Sequence, residues 1–182
     1  MPYTIVRLDR RTRKCLPRPE EPFEIIGRLM PVYDGQEWTL SEELTDTPRE
    51  KTYPNDSYRS KEYIGKPSKA AFLAMLDGTC VGSLRVRKKW NDNAFIEDLA
   101  VDRAHRGRGV GTMLMDTAAA WCRENGLRVV SLETQDWNLL ACRFYLKYGF
   151  SLGGIDQFLY NAYAPQRGET ALYFYLFPED LP

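Results

Sequence analysis

The chain has 182 residues, 43% of them hydrophobic, and a formal net charge of zero. That length suits one compact domain with a sizeable core, and the balanced charge argues against a dedicated nucleic-acid binder. No apolar run is long enough to span a bilayer, and Met1 to Arg7 lack the apolar stretch of a signal peptide, so a cytoplasmic protein is expected.

Tyr3 to Leu8 alternates and reads as a first strand. Arg10, Arg11, Arg13, Lys14 and Arg18 follow in a basic, proline-punctuated loop. The stretch from Phe23 to Asp46 predicts one or two short helices, around Ile25–Met30 and Trp38–Leu44. Asp34, Glu37, Glu42, Glu43, Asp46 and Glu50 load this region with carboxylates that only Arg49 opposes. Thr47 to Ser68, rich in Pro, Asn, Ser and Tyr, reads as a long loop, expected to be a lid or a binding loop. Ala70–Leu76 and Val81–Val86 flank Asp77-Gly78, a strong hairpin signal. A third strand is expected from Ala94 to Val101.

Val110, Met113, Leu114, Thr117, Ala118 and Trp121 then recur at helical spacing, and Asn125-Gly126 closes that helix. Val129–Thr134 is a strand, Asn138–Tyr148 a helix ended by Gly149, and Phe150–Ile155 and Ala171–Phe177 are the last two strands. Crossovers after Val101 and Thr134 require a parallel pair. The expected fold is α/β, a mixed central sheet of about six to seven strands with flanking helices. We read residues 1–182 as one domain, with an N-terminal strand, helices and lid over 1–69 and a ligand-binding core over 70–182.

Cys15, Cys80, Cys122 and Cys142 form no CxxC pair and no metal-ligand spacing, so they are expected reduced, with Cys122 and Cys142 as small core residues. The single histidine, His105, sits in a basic turn and is a poor candidate for a catalytic triad.

The most informative stretch is Ile96 to Thr112, a strand, a glycine turn and a helix start. Backbone amides at such a turn, beside the positive end of a helix dipole, favour phosphate, and Arg106 and Arg108 add charge. The turn follows the third strand of a meander, which is not a dinucleotide-binding arrangement, and no GxxxxGK[ST] is present.

Arg106-Gly107-Arg108-Gly109-Val110-Gly111 matches the R-x-x-G-x-G signature of the GNAT superfamily of acetyl-CoA-dependent N-acetyltransferases. A second set, Leu132-Glu133-Thr134, Asn138, Ala141, Phe144, Tyr145 and Gly149-Phe150, matches at the right separation. Within the superfamily the chain resembles streptothricin N-acetyltransferases. The residues carrying this are Trp90-Asn91, Phe95 to Asp102, Leu132 to Gln135, Asn138, Ala141-Cys142, Phe144-Tyr145, Gly153 to Asp156 and Leu159-Tyr160. Gly27 to Leu29, Trp38 and Lys51 to Tyr53 add a fainter likeness.

The resemblance implies acetyl transfer from acetyl-CoA to an amino group on the β-lysine arm of a cationic antibiotic, with no metal, nucleic acid or membrane partner; a homodimer stays open. Only a neutral amine attacks a thioester, and an alkyl amine titrates at about 10.4, so a carboxylate can take the proton, directly or through water. Glu133 and Glu97 both qualify. Tyr145 matches the tyrosine that protonates the leaving thiolate. Leu99, Ala100 and Val101 correspond to the strand that holds the pantetheine arm and supplies an oxyanion donor. Arg106, Gly107, Arg108, Gly109, Val110, Gly111 and Thr112 correspond to the pyrophosphate cradle, and Asn138 and Ala141 to further cofactor contacts. Asn138 also suits a helix N-cap. On the acceptor side, Asp156 and Tyr160 fall where the sheet opens, and Trp38, Tyr33 and Tyr53 cover the substrate or pack the lid. A protein or peptide amine as acceptor, and a non-catalytic acetyl-CoA sensor, are the alternatives.

Overall fold

The structure, a computed structural model, describes residues 2–16, 21–53 and 58–177. Arg18 of the basic loop and residues 54–57 of the expected lid lie outside these. The strands are β1 (Thr4–Arg7), β2 (Phe23–Tyr33), β3 (Trp38–Lys51), β4 (Lys69–Leu76), β5 (Thr79–Lys88), β6 (Asn93–Val101), β7 (Val129–Gln135), β8 (Ser151–Asp156) and β9 (Ala171–Leu176). The helices are α1 (Val110–Glu124) and α2 (Leu139–Tyr148). A seven-stranded mixed sheet runs β1-β4-β5-β6-β7-β9-β8, and β2-β3 form a separate two-stranded sheet. Among the described residues no helix is long and apolar enough to cross a membrane.

The chain divides into two compact units, each of non-contiguous segments: Met1–Glu21, Pro54–Ser131 and Phe177–Pro182 in one, Pro22–Tyr53 and Leu132–Leu176 in the other. In the first, β1, β4, β5 and β6 make an antiparallel meander. Asp77 and Gly78 take positive φ of 49° and 78°, as the tight turn between β4 and β5 requires. Ala70 to Ala74 on β4 are all buried, because both faces of this strand are covered. One face carries Ala71 and Leu73, packed with Leu8, Leu16 and Tyr63. On the other, Gly82 opposes Ala74 and Val101, and a Cβ at Gly82 would stand 3.3 Å from Val110 and 3.4 Å from Leu114. The small residues here let α1 approach the sheet. The buried stripe of α1 includes Val110, Leu114, Ala118 and Trp121 as expected, with Met115, Ala119 and Cys122 beside them.

The second unit corrects the expectation for residues 23–51. The short helices expected around Ile25–Met30 and Trp38–Leu44 are the arms of one long hairpin, β2 and β3. Burial on β2 has a period of two: Ile25, Gly27 and Leu29 are buried, while Glu24, Ile26, Arg28 and Met30 are not. Asp34 makes the turn, its Oδ1 accepting from the amides of Gln36 (2.8 Å) and Glu37 (2.9 Å), with Gly35 at φ 102°. The start of the expected lid, Thr47 to Lys51, is the end of β3. The carboxylates of this hairpin also have more partners than the sequence shows. Glu43 accepts from Arg28 (2.8 Å and 2.6 Å), and both carboxylate oxygens of Glu42 accept from one edge of the Arg143 guanidinium on α2, its Nε and Nη2.

Helix α2 packs against β2. Gly149 ends α2 at φ 114°. Tyr145 reaches in from α2 to Phe150 and Phe174, with ring centroids 5.7 Å and 6.0 Å away. On β9, Leu172, Phe174 and Leu176 are buried and Tyr173 and Tyr175 only half-buried, so the two tyrosines line the opposite face of the strand.

Candidate active site

In the first unit, the glycine turn is built as an anion site requires. Gly107 and Gly109 hold φ of 71° and 83°, in the left-handed region that glycine enters without a Cβ penalty. Gly109 is the N-cap of α1 and offers no side-chain cap, and the first turn contains no acidic residue. The first bond along the helix runs from the Met113 amide to the Gly109 carbonyl (3.0 Å). The amides of Val110, Gly111 and Thr112 precede it, at the positive end of the dipole. This donor set fits a pyrophosphate. Arg108 is exposed beside it. Arg106 turns back: its Nε donates to the Val101 carbonyl (2.9 Å) and its guanidinium lies 3.5 Å from Glu21, so it braces the strand–turn junction. His105 faces Tyr3 (3.1 Å).

Leu99, Ala100 and Val101 pair with Leu84, Ser83 and Gly82 of β5. Just before them the register shifts: Arg85 opposes Asp98 while Val86 opposes Ile96, which leaves Glu97 as the extra residue of a β-bulge. The bulge brings two successive carboxylates to one cluster. Glu97 accepts from the Tyr63 hydroxyl (2.7 Å) and pairs with Arg87 (2.9 Å). Asp98 lies 3.6 Å from Arg85. Arg85 itself is 4% exposed, donates to Tyr63 (3.3 Å) and stacks 3.8 Å from the Tyr58 ring centroid. Burial, and then the bond to Glu97, push the Tyr63 phenol up to about 12. Neither this cluster nor the roles of Arg85 and Tyr63 is visible in the sequence, because alternation puts Glu97 and Asp98 on opposite faces.

In the second unit, Asn138 is the N-cap of α2, its Oδ1 accepting from the Ala141 amide (3.4 Å). That cap uses only the oxygen of the side chain; the amide nitrogen is a separate donor group. Tyr145 is 9% exposed, its ring packed among Phe144, Phe150 and Phe174. Glu133 on β7 is half-buried, with Oε1 inaccessible to solvent. Its charge acts on two phenols, Tyr53 and Tyr173. Burial is the larger cause for both, and both titrate above the ordinary tyrosine value. Asp156 adds to the effect on Tyr173 and Asp136 to that on Tyr53.

Sequence reasoning missed Glu169, 5% exposed, which pairs with Lys51 and accepts from Tyr53 (2.7 Å). It missed Asp136 too, 4% exposed, whose Oδ1 accepts from the Thr170 amide (2.9 Å) and whose carbonyl accepts from the Leu29 amide (3.0 Å). Burial pushes the Asp136 carboxyl up. Of the expected acceptor residues, Asp156 uses Oδ1 to accept from the amides of Phe158 (2.8 Å) and Leu159 (3.0 Å). Tyr160 is buried, with Gln135 donating to its hydroxyl (3.2 Å). Tyr33 and Trp38 pair across the hairpin end, ring centroids 4.9 Å apart.

No group of three or more metal-ligating side chains occurs among the described residues. Cys142 is fully buried and burial pushes its thiol up to about 12, which removes it as a nucleophile. Incubation with acetyl-CoA alone is therefore expected to leave the intact mass unchanged; a stable 42-Da adduct on Cys142 (roughly the mass of one acetyl group replacing a proton) would mean that the reaction passes through this thiol.

The acetyltransferase (GNAT) profile matches residues 36–150, the span that holds the glycine turn, Glu133, Asn138 and Tyr145. The chain belongs to the GNAT acetyltransferase family. It is 38% identical over 171 residues to streptothricin acetyltransferase A of Bacillus subtilis (strain 168), covering 94% of this chain and 98% of the relative. A protein of Bacillus anthracis str. Ames assigned as a streptothricin acetyltransferase, crystallised with acetyl coenzyme A, superposes with a TM-score of 0.87 at 33% identity, over 97% of this chain and 99% of that one. Nourseothricin acetyltransferase superposes with a TM-score of 0.80 at 30% identity, over 96% and 98%. The protein is an acetyl-CoA-dependent N-acetyltransferase, and acetyl-CoA is its cosubstrate. The uncapped start of α1, with its free amides and no acidic residue in its first turn, fits the pyrophosphate of this cosubstrate.

Proposed function

We propose that this GNAT enzyme acetylates a primary amine of a cationic antibiotic of the streptothricin type, by direct transfer with no acyl-enzyme. The observation that carries the reading is the set of carboxylates in the second unit. Glu133 and Asp156 act on Tyr173, and Glu133 and Asp136 on Tyr53, whose hydroxyl is held by Glu169. Glu169 is already paired with Lys51 and burial pushes the Asp136 carboxyl up, so the negative charge that draws a polycation and holds its ammonium groups rests on Glu133 and Asp156. The likeness to streptothricin acetyltransferases over nearly the whole chain supports it, since it takes in the acceptor-side segments as well as the donor turn.

Both oxygens of Glu97 are engaged, one by Tyr63 and one by Arg87. The proton-accepting role therefore falls to Glu133, acting through water. The backbone of Leu99–Val101 receives the pantetheine arm and donates to the oxyanion. Val110 to Thr112 hold the pyrophosphate with their amides, the Asn138 side chain bonds the arm, and Tyr145 protonates the thiolate as it leaves.

Purified enzyme, acetyl-CoA and streptothricin are expected to yield a monoacetylated antibiotic with the acetyl group on its β-lysine arm, located by tandem mass spectrometry. Glu133→Gln is expected to lower kcat/KM by roughly 10²-fold and to shift the acidic limb of the pH–rate profile, while Glu97→Gln leaves that limb in place. Rapid acetylation of a peptide amine with none of streptothricin would overturn the acceptor reading.

A further inference from the structure

Strand β8 carries two adjacent glycines, Gly153 and Gly154, and they differ in what they are for. A Cβ at Gly153 would lie 2.5 Å from the Tyr175 ring, so glycine there is demanded by packing. Gly153 is the extra residue of a bulge, between Leu152 opposite Phe174 and Gly154 opposite Tyr173. Gly154 has no such constraint. Its φ lies outside the left-handed region, and a Cβ there would meet nothing within 4 Å. Neither the backbone nor a neighbour requires a glycine at this position.

What Gly154 does instead is leave space. Residues directly opposed on antiparallel strands point to one face, so a side chain at position 154 would stand beside the Tyr173 ring. Tyr173 lines an open groove of about 520 Å³ together with Ile155, Asp156, Gln157 and Phe158. Phe158 is 76% exposed, so its ring face is open to a ligand. Asp156 and Glu133 both act electrostatically on Tyr173. The groove thus joins aromatic surface with the Asp156 carboxylate. That is the pairing that recognises an alkylammonium, through the ring faces and the negative charge together.

We propose that Gly154 is a specificity-determining position: its missing side chain keeps open a groove in which Tyr173, Phe158 and Asp156 receive an ammonium-bearing arm of the acceptor. This rests on the reading of the acceptor as a cationic amine. None of the residues lining the groove belongs to the donor-binding set proposed above, so filling it is expected to act on the acceptor.

The test is steady-state kinetics of Gly154→Val with streptothricin, or with the amine that the wild-type enzyme acetylates fastest in a panel of diamines and peptides. The expected result is a rise of roughly tenfold or more in the acceptor KM, with the KM for acetyl-CoA within about twofold and an unchanged thermal midpoint. Tyr173→Leu, which keeps bulk and removes the aromatic face, is expected to raise the acceptor KM as well. Should the valine variant fail to fold, Gly154→Ala carries the test, with a smaller rise in the same parameter. An unaltered acceptor KM in a folded Gly154 variant overturns the proposal, whichever amine is used. Failure of streptothricin with success of another amine overturns the antibiotic reading and leaves the groove to be judged with that amine. Failure of every amine overturns both.

Discussion

Tyr145→Phe is expected to lower the single-turnover rate constant of acetyl transfer by roughly a hundredfold, the scale of a lost general acid. The substitution removes one oxygen and keeps the ring. The ring contacts with Phe144, Phe150 and Phe174 therefore survive, and the thermal midpoint should hold. The KM for acetyl-CoA should stay within about twofold, because in the proposed role the hydroxyl acts on the departing thiolate and not on the bound thioester. Single turnover matters here, since slow product release would hide a change in chemistry. A rate constant within twofold of wild type would show that the thiolate leaves without help from this phenol, and would return Tyr145 to a packing role.

The second large effect is on stability. Arg85→Ala is expected to destabilise the fold by about 3 kcal/mol, as removal of one partner of a buried ion pair does. For a chain of this size that corresponds to a fall of roughly 6–12 °C in the melting temperature. Arg85 is 4% exposed and serves three partners at once: Asp98, the Tyr63 hydroxyl and the Tyr58 ring. Arg85→Lys should recover little, because an ammonium cannot stack on Tyr58 while it donates to Tyr63. Calorimetry of the three proteins checks this. A melting temperature for Arg85→Ala within two degrees of wild type (a shift of about 1 kcal/mol or less) would show that the cluster is solvated and not a buried brace.

Much of the first unit could be read from residues in order. Asp77-Gly78 announces its hairpin, the apolar stripe from Val110 to Trp121 announces α1, and Asn125-Gly126 ends it. These are local signals: a turn needs a positive φ at two positions, and a helix needs one apolar face. Residues 23–51 defeated the same approach. On β3 most side chains are exposed, and on β2 the buried positions are Ile25, Gly27 and Leu29, one of them a glycine with no side chain to mark the pattern. A hairpin with so few buried side chains shows little period of either kind. Asp34-Gly35 is a turn signal of the same sort as Asp77-Gly78, and it is where β2 turns into β3.

The site was legible in the same uneven way. Gly107, Gly109 and Gly111, with Asn138 and Tyr145 at their separation, identify the donor from the chain alone. The reason is physical: a backbone anion site is made by one turn and the helix that follows it, so all its determinants are neighbours in sequence. The carboxylate groupings have no such compactness. Glu97 and Asp98 meet one cluster only because the β5–β6 register slips at Arg85, and Asp156, Glu133 and Tyr173 come from three strands. Glu169 finds Lys51 and Tyr53 across more than a hundred residues of chain. Such groupings depend on pairing and on bulges, which no local pattern encodes. The sequence by itself determined the donor, the kind of chemistry and the elements from β4 onward; only the tertiary structure decided that residues 23–51 form a hairpin and which carboxylates stand together.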